Sequence, residues 1–189
     1  MEAVTQARTM LGSAAETLDL EGRYGRLLRE HGPALRRAAA AYEFDPARRE
    51  DLFQDICLAV WQALPRFRGE ASERTFLFRI AHNRGLTHRA RYARQPQAVA
   101  ADLTAAEEVA DPGASPERAL GDAERRARLR HAVRHLPLAA QQALTMTLEG
   151  LTPREIADVL GITENNVAVR LSRARRLLRE TLTAAGGAP

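Results

Sequence analysis

Residues 151–178 read LTPREIADVLGITENNVAVRLSRARRLL, and this stretch decides the fold of the C-terminal part of the chain. Its TPRE segment at 152–155 combines a capping box with a proline at the first helical position, so it predicts a helix start. That helix is expected to end at Gly161, and Thr163 is expected to cap the next one. A short capped helix, a glycine-containing turn and a second helix form the helix-turn-helix pattern.

The second helix of this pattern has an apolar stripe, formed by Val167, Leu171, Ala174 and Leu178. The opposite face would enter the major groove of DNA, where Asn and Arg side chains make bidentate contacts to base edges. At about 100° per residue, the residues that point outward are Asn165, Asn166, Val169, Ser172, Arg173 and Arg176, with Arg170 and Arg175 on the phosphate-binding flanks. The alternative is an arginine-rich solvated helix that only ends a bundle.

The composition of the whole chain also favours helices. Of 189 residues, 36 are Ala and 24 are Leu, against 4 Ile and 5% aromatic residues, which argues against a β-sandwich or barrel. All 28 basic residues are Arg, so a lysine Schiff base and a P-loop lysine are excluded. The predicted fold class is all-α, with two small helical domains joined by a flexible acidic linker.

Several sites and segments are excluded by simple counts. The single cysteine, Cys57, rules out an internal disulfide and a multi-cysteine zinc site. His131 and His135 have the spacing of two metal ligands on one helix face, but no third ligand is evident, so we expect no metal and no cofactor. No run approaches the roughly 18 apolar residues of a membrane helix, and residues 1–20 lack a signal-peptide core. These features predict a soluble cytoplasmic protein.

Charge divides the chain into its predicted parts. Residues 97–117 contain no Arg and five acids, together with Pro112, Pro116 and Gly113, which is typical of a flexible acidic linker. Both flanking segments are rich in Arg. The predicted organisation is an N-terminal tail at 1–20, a first domain at 21–95, a linker at 96–119, a second domain at 120–183 and a tail at 184–189. Gly22, Gly32 and Pro33 are expected to divide the start of the first domain into one or two helices.

A helix between Asp45-Pro46 and Pro65 has an unusual outer face. Its inner face is expected to carry Leu52, Phe53, Ile56, Val60, Ala63 and Leu64. The outer face carries Asp51, Gln54, Asp55, Leu58 and Gln62, with Trp61 at the edge. An apolar and aromatic pair surrounded by acids and amides is typical of a partner-binding surface. The alternative is that Trp61 packs back onto a neighbouring helix of its own domain.

The segment 66–94 mixes eight arginines with Phe67, Phe76, Phe78 and Tyr92, and a helix is predicted from about Glu73 to Arg91. Aromatic rings stack on bases while arginines follow phosphates, so this composition suits single-stranded nucleic acid. The alternative is a solvated charged face with Phe76 in the core.

Two separate segments together resemble bacterial sigma factors. LFQD at 52–55 through Trp61, then FRG at 67–69 and TFLFRIAHN at 75–83, resemble region 2. Residues 136–175, from Leu136-Pro137 through the helix-turn-helix, resemble region 4. The presence of these two regions alone, joined by a short linker, is similar to the extracytoplasmic-function branch of the sigma-70 family.

The resemblance implies a protein that binds core RNA polymerase, directs it to a promoter and helps open the DNA. Region 2 would dock on the clamp helices through Asp51, Gln54, Asp55, Leu58, Trp61 and Gln62. It would read the minus-ten element through Phe67, Arg68, Asn83, Arg84, His88, Arg89 and Arg91, with Asn83 near the pocket for a flipped base. Region 4 would contact the polymerase flap and read the minus-thirty-five element through Thr163, Asn165, Asn166, Val169, Arg170, Ser172, Arg173 and Arg176.

Two departures from the family pattern stand out. Phe76 occupies a position where the family usually has Trp, and Ala168-Val169 stand where many members carry a basic or hydroxyl pair. The second departure suggests an apolar contact, for instance to a thymine methyl group. Members of this branch are commonly held inactive by an anti-sigma factor, so such a partner is expected.

Three other functions remain open at this point. A free-standing helix-turn-helix regulator would bind operator DNA without polymerase. An enzyme would use His131 and His135 with a metal. A sigma-like adaptor would sequester a regulator and never direct transcription. No P-loop is present, so any separation of DNA strands must be driven by binding energy.

Overall fold

The structure is a computed structural model that describes the backbone of residues 2–92, 125, 128–129 and 131–186, and the side chains of residues 19–183 within those ranges. Its main helices are α1 (Glu2–Ala40), α2 (Pro46–Ala63), α3 (Glu73–Tyr92), α4 (Leu138–Leu148), α5 (Pro153–Leu160) and α6 (Glu164–Gly186). A short 3-10 helix (Leu64–Arg66) follows α2, and residues 131–134 are also helical. These ranges contain no β-strand, which confirms the all-α prediction. The predicted linker at 96–119 lies outside the described residues.

Helix α1 is longer and more continuous than the sequence suggested. It runs without a break through Gly22, Gly32 and Pro33, so the expectation that these residues end helices is wrong. Pro33 is exposed, whereas Leu27 and Leu35 on either side are fully buried. Burial of this apolar face offsets the one backbone hydrogen bond that the proline removes. The segments expected as tails are helical at 2–20 and at 184–186.

Helices α1, α2 and α3 form the N-terminal domain. The Asp45 carboxylate caps α2 by accepting a hydrogen bond from the Arg48 backbone at 2.9 Å, as the sequence predicted. The inner faces of the three helices meet in an aliphatic core that includes Leu35, Leu52 and Leu77. Most of the residues expected on the inner face of α2 are buried, and Phe53 and Ala63 are half-buried.

A close crossing of α1 and α3 sets the geometry of this domain. Gly85 is buried in α3, and a Cβ atom at this position would overlap the ring of Tyr42, which follows α1. The backbone of α3 and the tyrosine ring are therefore in direct contact, which only glycine permits.

Helices α4, α5 and α6 form the C-terminal domain and confirm the helix-turn-helix prediction. Thr152 and Glu155 form both hydrogen bonds of the capping box at the start of α5. Gly161 ends α5 in the left-handed conformation, with φ 65°, which glycine adopts without steric cost. The Thr163 hydroxyl then accepts a hydrogen bond from the Asn166 backbone at 3.3 Å and caps α6. The apolar stripe of α6 is buried at Val167, Leu171 and Ala174, and Leu178 is half-buried.

The two domains pack against each other. Helix α5 lies along α3, and α4 contacts α1. One continuous apolar core contains Leu77 and Phe78 of the N-terminal domain together with Met146 and Ile156 of the C-terminal domain. The fold therefore holds the helix-turn-helix unit directly against α3.

We predict that Gly85→Ala lowers the free energy of unfolding by about 1–3 kcal/mol, because the added methyl group must displace the Tyr42 ring. The matched control is Gly22→Ala, also within a helix but with no atom near the added Cβ. It should raise the free energy of unfolding by about 0.5–1 kcal/mol through the higher helix propensity of alanine. Urea unfolding followed by circular dichroism measures both. Equal stability of Gly85→Ala and the wild type would contradict the contact.

Candidate functional surfaces

The outer face of α2 is exposed as predicted. Asp51, Gln54, Asp55 and Gln62 are all exposed, and Leu58 keeps 56% of its surface in contact with solvent. A leucine this exposed between carboxylates offers an apolar anchor inside an acidic rim. The face can therefore bind a partner whose own surface is basic around an apolar pocket.

Trp61 has a role within its own domain. Its ring is half-buried and meets the edge of the Tyr24 ring on α1, with centroids 5.1 Å apart and planes at 78°. The Tyr24 hydroxyl donates to the Cys57 carbonyl oxygen at 3.2 Å, which ties α1 to α2. The alternative considered for Trp61, packing onto a neighbouring helix, is thus confirmed for part of its surface.

A basic cleft of about 430 Å³ lies between the end of α2 and α3. Its wall includes the stacked rings of Phe67 and Phe76, with centroids 4.3 Å apart and planes at 24°. The charged side chains around it are four arginines and one acid: Arg66, Arg68, Arg79, Arg84 and Glu70. Stacked rings beside several guanidinium groups can hold an unstacked base and its phosphates.

The structure places two phenylalanines of the basic segment differently. Phe76 is half-buried, lines the cleft and packs against the edge of the core, whereas Phe78 is 1% exposed and lies within the core. Positions 76 and 78 differ by two residues, so they face nearly opposite sides of α3. The sequence could not say which side would meet the other helices.

Most of the polar residues predicted on α3 are exposed, but His88 is not. Asn83, Arg84, Arg89 and Arg91 are exposed. His88 is 6% exposed, its Nε2 atom lies 3.0 Å from a carboxylate oxygen of Glu43, and its ring packs on Tyr92.

The expected exposure of His88 is therefore wrong, because its side of α3 faces the end of α1. The sequence did carry a signal for this. Ala81, Gly85 and His88 follow the spacing of a buried helical stripe, and all three are buried.

His82 forms a second buried polar contact. Its Nδ1 atom lies 2.7 Å from the Tyr42 hydroxyl oxygen. Burial lowers the pKa of His82, and the nearby Arg170 guanidinium of the C-terminal domain lowers it further. Burial also raises the pKa of Tyr42, so this hydroxyl stays protonated. Sequence analysis missed Tyr42, Glu43 and the buried Gln142 near it, because no motif marks them.

The outer face of α6 is exposed as predicted. Asn165, Asn166, Ser172, Arg173 and Arg176 are exposed, and Val169 is 58% exposed. Arg176 bonds to Glu180 one turn later at 3.2 Å. Thr163 is exposed at the preceding cap. Arg170, which was predicted on the phosphate-binding flank, is half-buried on the side of the N-terminal domain. Its side chain is therefore only partly exposed to solvent.

His131 and His135 contact each other. Their ring centroids are 4.1 Å apart, and His135 Nδ1 lies 2.8 Å from the His131 carbonyl oxygen. Within the ranges that the structure covers, the acidic and histidine side chains that do converge are Glu30, His31 and Glu73. Arg26 already binds both carboxylate oxygens of Glu73, at 3.1 and 2.8 Å, so this group is neutralised within the protein.

Comparison with known proteins agrees with this architecture. The family model for sigma-70 region 2 matches residues 27–95, and the model for sigma-70 region 4 matches residues 126–178. RNA polymerase sigma factor NccH of Alcaligenes xylosoxydans xylosoxydans is 32% identical over 162 residues, which are 84% of this chain and 86% of that protein. RNA polymerase sigma factor CnrH of Cupriavidus metallidurans is 31% identical over 166 residues, 85% and 87% of the two chains.

These matches decide the family. The chain belongs to the extracytoplasmic-function branch of the sigma-70 family. It is an RNA polymerase sigma factor, as the sequence predicted. Region 2 covers the last third of α1 with α2 and α3, and region 4 covers α4, α5 and most of α6.

Solved sigma-factor structures share the fold. CnrH in complex with the cytosolic domain of CnrY superposes with a TM-score of 0.62 at 26% identity, over 87% of this chain and 90% of that one. Sigma factor RpoE in complex with the anti-sigma factor NepR from Bartonella quintana superposes with a TM-score of 0.66 at 22% identity, over 85% and 97% of the two chains. In the part of this sigma factor that the structure describes, none of the helices has the length and apolar character needed to span a bilayer.

We predict that this sigma factor loses stability below about pH 6.5 because His82 is buried. Its pKa is lower in the folded state than the ordinary value of 6.5, so the unfolded chain binds the proton more readily. Above about pH 6.5 His82 is neutral in both states, and the free energy of unfolding is at its full value. It decreases as the pH falls from about 6.5 toward the folded-state pKa of His82.

The measurement is urea unfolding between pH 7.5 and pH 5, with His82→Asn as the matched variant that retains a hydrogen-bonding group without this titration. The wild type should lose more stability than the variant across this range. If the free energies of unfolding of the two proteins change with pH in parallel, burial of His82 does not lower stability at acidic pH.

Proposed function

We propose that this sigma factor docks on the clamp helices of core RNA polymerase through the outer face of α2, and reads promoter DNA through α3 and α6. The observation that carries the proposal is the placement of two unlike surfaces on the N-terminal domain. The exposed face of Asp51, Asp55 and Leu58 lies on α2, and the arginine-lined cleft begins at the end of the same helix. One domain thus offers an acidic and apolar surface to a protein and a basic aromatic surface to nucleic acid.

The polymerase-binding residues are proposed to be Asp51, Gln54, Asp55, Leu58, Trp61 and Gln62. Leu58 is the anchor, because it is the most exposed apolar side chain of this face. Trp61 contributes from the edge, where Tyr24 holds its ring in place.

The minus-ten element is proposed to enter the basic cleft as a single strand. Phe67 and Arg68 line the cleft together with Arg84, and Asn83 is exposed beside Arg84 on α3. Arg91 extends this basic surface along the helix, and Arg89 is proposed to contribute from its exposed position on the side of α3 near Tyr42. With no ATP site in the sequence, opening would begin when one or two extruded bases are trapped here, at a cost of a few kcal/mol that stacking and phosphate contacts offset.

The minus-thirty-five element is proposed to meet the outer face of α6 in the major groove. Asn165, Asn166, Val169, Ser172, Arg173 and Arg176 are the base-facing candidates, with Thr163 and Arg170 at the sides. The exposed Val169 would make an apolar contact at a position where many family members carry a basic or hydroxyl residue. A thymine methyl group is a suitable partner for this contact.

Control by an anti-sigma factor completes the proposal. It is supported by the family and by CnrH, whose structure holds the cytosolic domain of CnrY. We also propose that this protein acts in the cytoplasm, works by binding rather than by catalysis, and divides into a first domain at 21–95 and a second at 120–183 around the linker at 96–119.

We predict that Leu58→Arg abolishes co-elution with bacterial core RNA polymerase in the absence of DNA, because a charge replaces the apolar anchor. The matched control is Leu86→Arg, which places the same charge on a 43% exposed leucine of α3. Size-exclusion chromatography of purified protein with core enzyme measures both.

The wild type and Leu86→Arg should co-elute with core. Loss of binding in both variants would indicate a general effect of added charge. If the wild type itself does not bind core, an independent helix-turn-helix regulator becomes the better explanation.

We predict that Arg173→Ala weakens binding to the minus-thirty-five element by about 1–3 kcal/mol, because the guanidinium would contact a base edge. The DNA for this binding measurement comes from promoters of this sigma factor, which are mapped by sequencing the transcripts of the reconstituted holoenzyme. The matched control is Arg179→Ala, an exposed arginine farther along α6 and outside the region 4 match. Unchanged affinity and sequence preference in Arg173→Ala would remove this residue from the readout.

A further inference from the structure

The aromatic wall of the basic cleft is supported from outside by helix α1. The guanidinium carbon of Arg23 lies 5.3 Å from the centroid of the Phe67 ring, and this ring also stacks on Phe76 with a centroid distance of 4.3 Å. Phe67 and Phe76 line the cleft, whereas Arg23 is not among its lining residues. The guanidinium therefore contacts the ring without occupying the space that a ligand would take.

A carboxylate at the start of α3 fixes this guanidinium. Glu73 is the first residue of α3, and one of its carboxylate oxygens lies 3.8 Å from Nη2 of Arg23. The same carboxylate accepts hydrogen bonds from Nη1 and Nη2 of Arg26, at 3.1 and 2.8 Å. A two-bond pair of arginine and carboxylate fixes orientation as well as adding binding energy. Arg26 thus orients the Glu73 carboxylate, and the carboxylate in turn orients Arg23.

This ionic group is partly shielded from solvent. The side chains of Arg23, Arg26 and Glu73 are 33%, 42% and 31% exposed. The hydrogen bonds from Arg26, together with the charges of both arginines, lower the pKa of Glu73, so its carboxylate is charged at neutral pH. A partly buried ionic group is screened by salt less than an exposed one, which suits it to holding a neighbouring ring.

The ring that is held anchors an irregular segment of the chain, residues 67–72. The far end of this segment is fixed where the Ser72 hydroxyl accepts a hydrogen bond from the first turn of α3 at 3.1 Å. The near end carries the half-buried ring of Phe67. Arg68 and Glu70 lie between these two ends, are exposed and line the cleft. The contacts of Phe67 therefore also influence where Arg68 and Glu70 lie.

The two supporting arginines lie outside the part of the chain that matches sigma-70 region 2. That match begins at residue 27, whereas Arg23 and Arg26 precede it on α1. The family comparison therefore assigns no role to either residue.

We propose that Arg23 and Glu73 are positioning residues of the minus-ten site, which hold the Phe67 ring against Phe76 so that the cleft is preformed for an unstacked base. The consequence for DNA rests on the proposed function of the cleft; the support of the ring does not. A preformed site loses less conformational freedom when it binds, so loosening the ring should weaken the binding of single-stranded DNA.

Glu73→Gln separates positioning from simple electrostatics, because the two predict opposite results. Removal of a negative charge near the cleft would strengthen DNA binding if charge alone were important. If Glu73 positions Arg23, the variant should instead bind a single-stranded oligonucleotide about two- to fivefold more weakly, which is the range for an exposed cation–π contact. The measurement is fluorescence anisotropy of the reconstituted holoenzyme with the non-template strand of a mapped minus-ten element. The matched control is Glu30→Gln, whose bond is to Arg26 at 3.2 Å and which should not weaken binding.

Arg23→Gln tests the same contact from the other side. It should weaken oligonucleotide binding by a similar factor, and Arg23→Lys, which keeps a positive charge beside the ring and the carboxylate, should restore most of the affinity. The matched control is Arg29→Gln, an exposed arginine of α1, which should bind as the wild type does. A positioning residue makes no phosphate contact, so the salt dependence should be unchanged. A slope of log affinity against log salt that falls by about 0.7 in Arg23→Gln would overturn positioning in favour of a direct phosphate contact.

A para-fluorophenylalanine residue at position 67 of the full-length protein reports on the ring itself without DNA. Its fluorine resonance should move in Glu73→Gln and Arg23→Gln and stay in place in Glu30→Gln and Arg29→Gln. A resonance that moves in neither test variant would overturn the inference, as would unchanged or tighter oligonucleotide binding by Glu73→Gln. If the resonance moves in both test variants but the wild-type holoenzyme does not bind the oligonucleotide, the support of the ring stands and the proposed function of the cleft fails.

Discussion

The contact between the Tyr42 ring and the backbone of Gly85 is the constraint on which the rest of the structure depends. It brings α1 and α3 closer together than a residue with a Cβ atom at position 85 would permit. The same ring carries its hydroxyl to His82 and to the neighbourhood of Gln142 in the other domain. One glycine thus fixes the crossing of two helices and the place where the C-terminal domain docks. The apolar core continues across that boundary around these buried polar groups.

The protein separates its surfaces by chemistry. Carboxylates and Leu58 occupy the outer face of α2, and arginines surround the aromatic wall at Phe67 and Phe76. Each DNA-reading surface is small, and two small surfaces on one chain gain affinity only when both can reach the same molecule. The distance between the domains is then as important as the chemistry of either surface.

The errors of sequence reasoning share one cause. Pro33 did not end α1, because burial of Leu27 and Leu35 outweighs one missing backbone bond. His88 was placed among the DNA-binding arginines, although its carboxylate partner, Glu43, comes from the end of α1. Phe78 was counted among the aromatic residues of the nucleic-acid-binding segment, although it is buried in the core. In each case the local pattern was correct and the missing information was which side of a helix another helix covers.

The sequence by itself determined the helical class, the caps at Asp45 and Thr152, the turn at Gly161 and the stripe through Val167, because these depend on residues within a few positions of one another. It also determined the family, through two motifs in the correct order. Only the tertiary structure decided the burial of His88, the position of the basic cleft and the packing of one domain on the other. These depend on contacts between residues that are far apart in the chain, such as Ser72 with Glu155, and no local spacing encodes such a pairing.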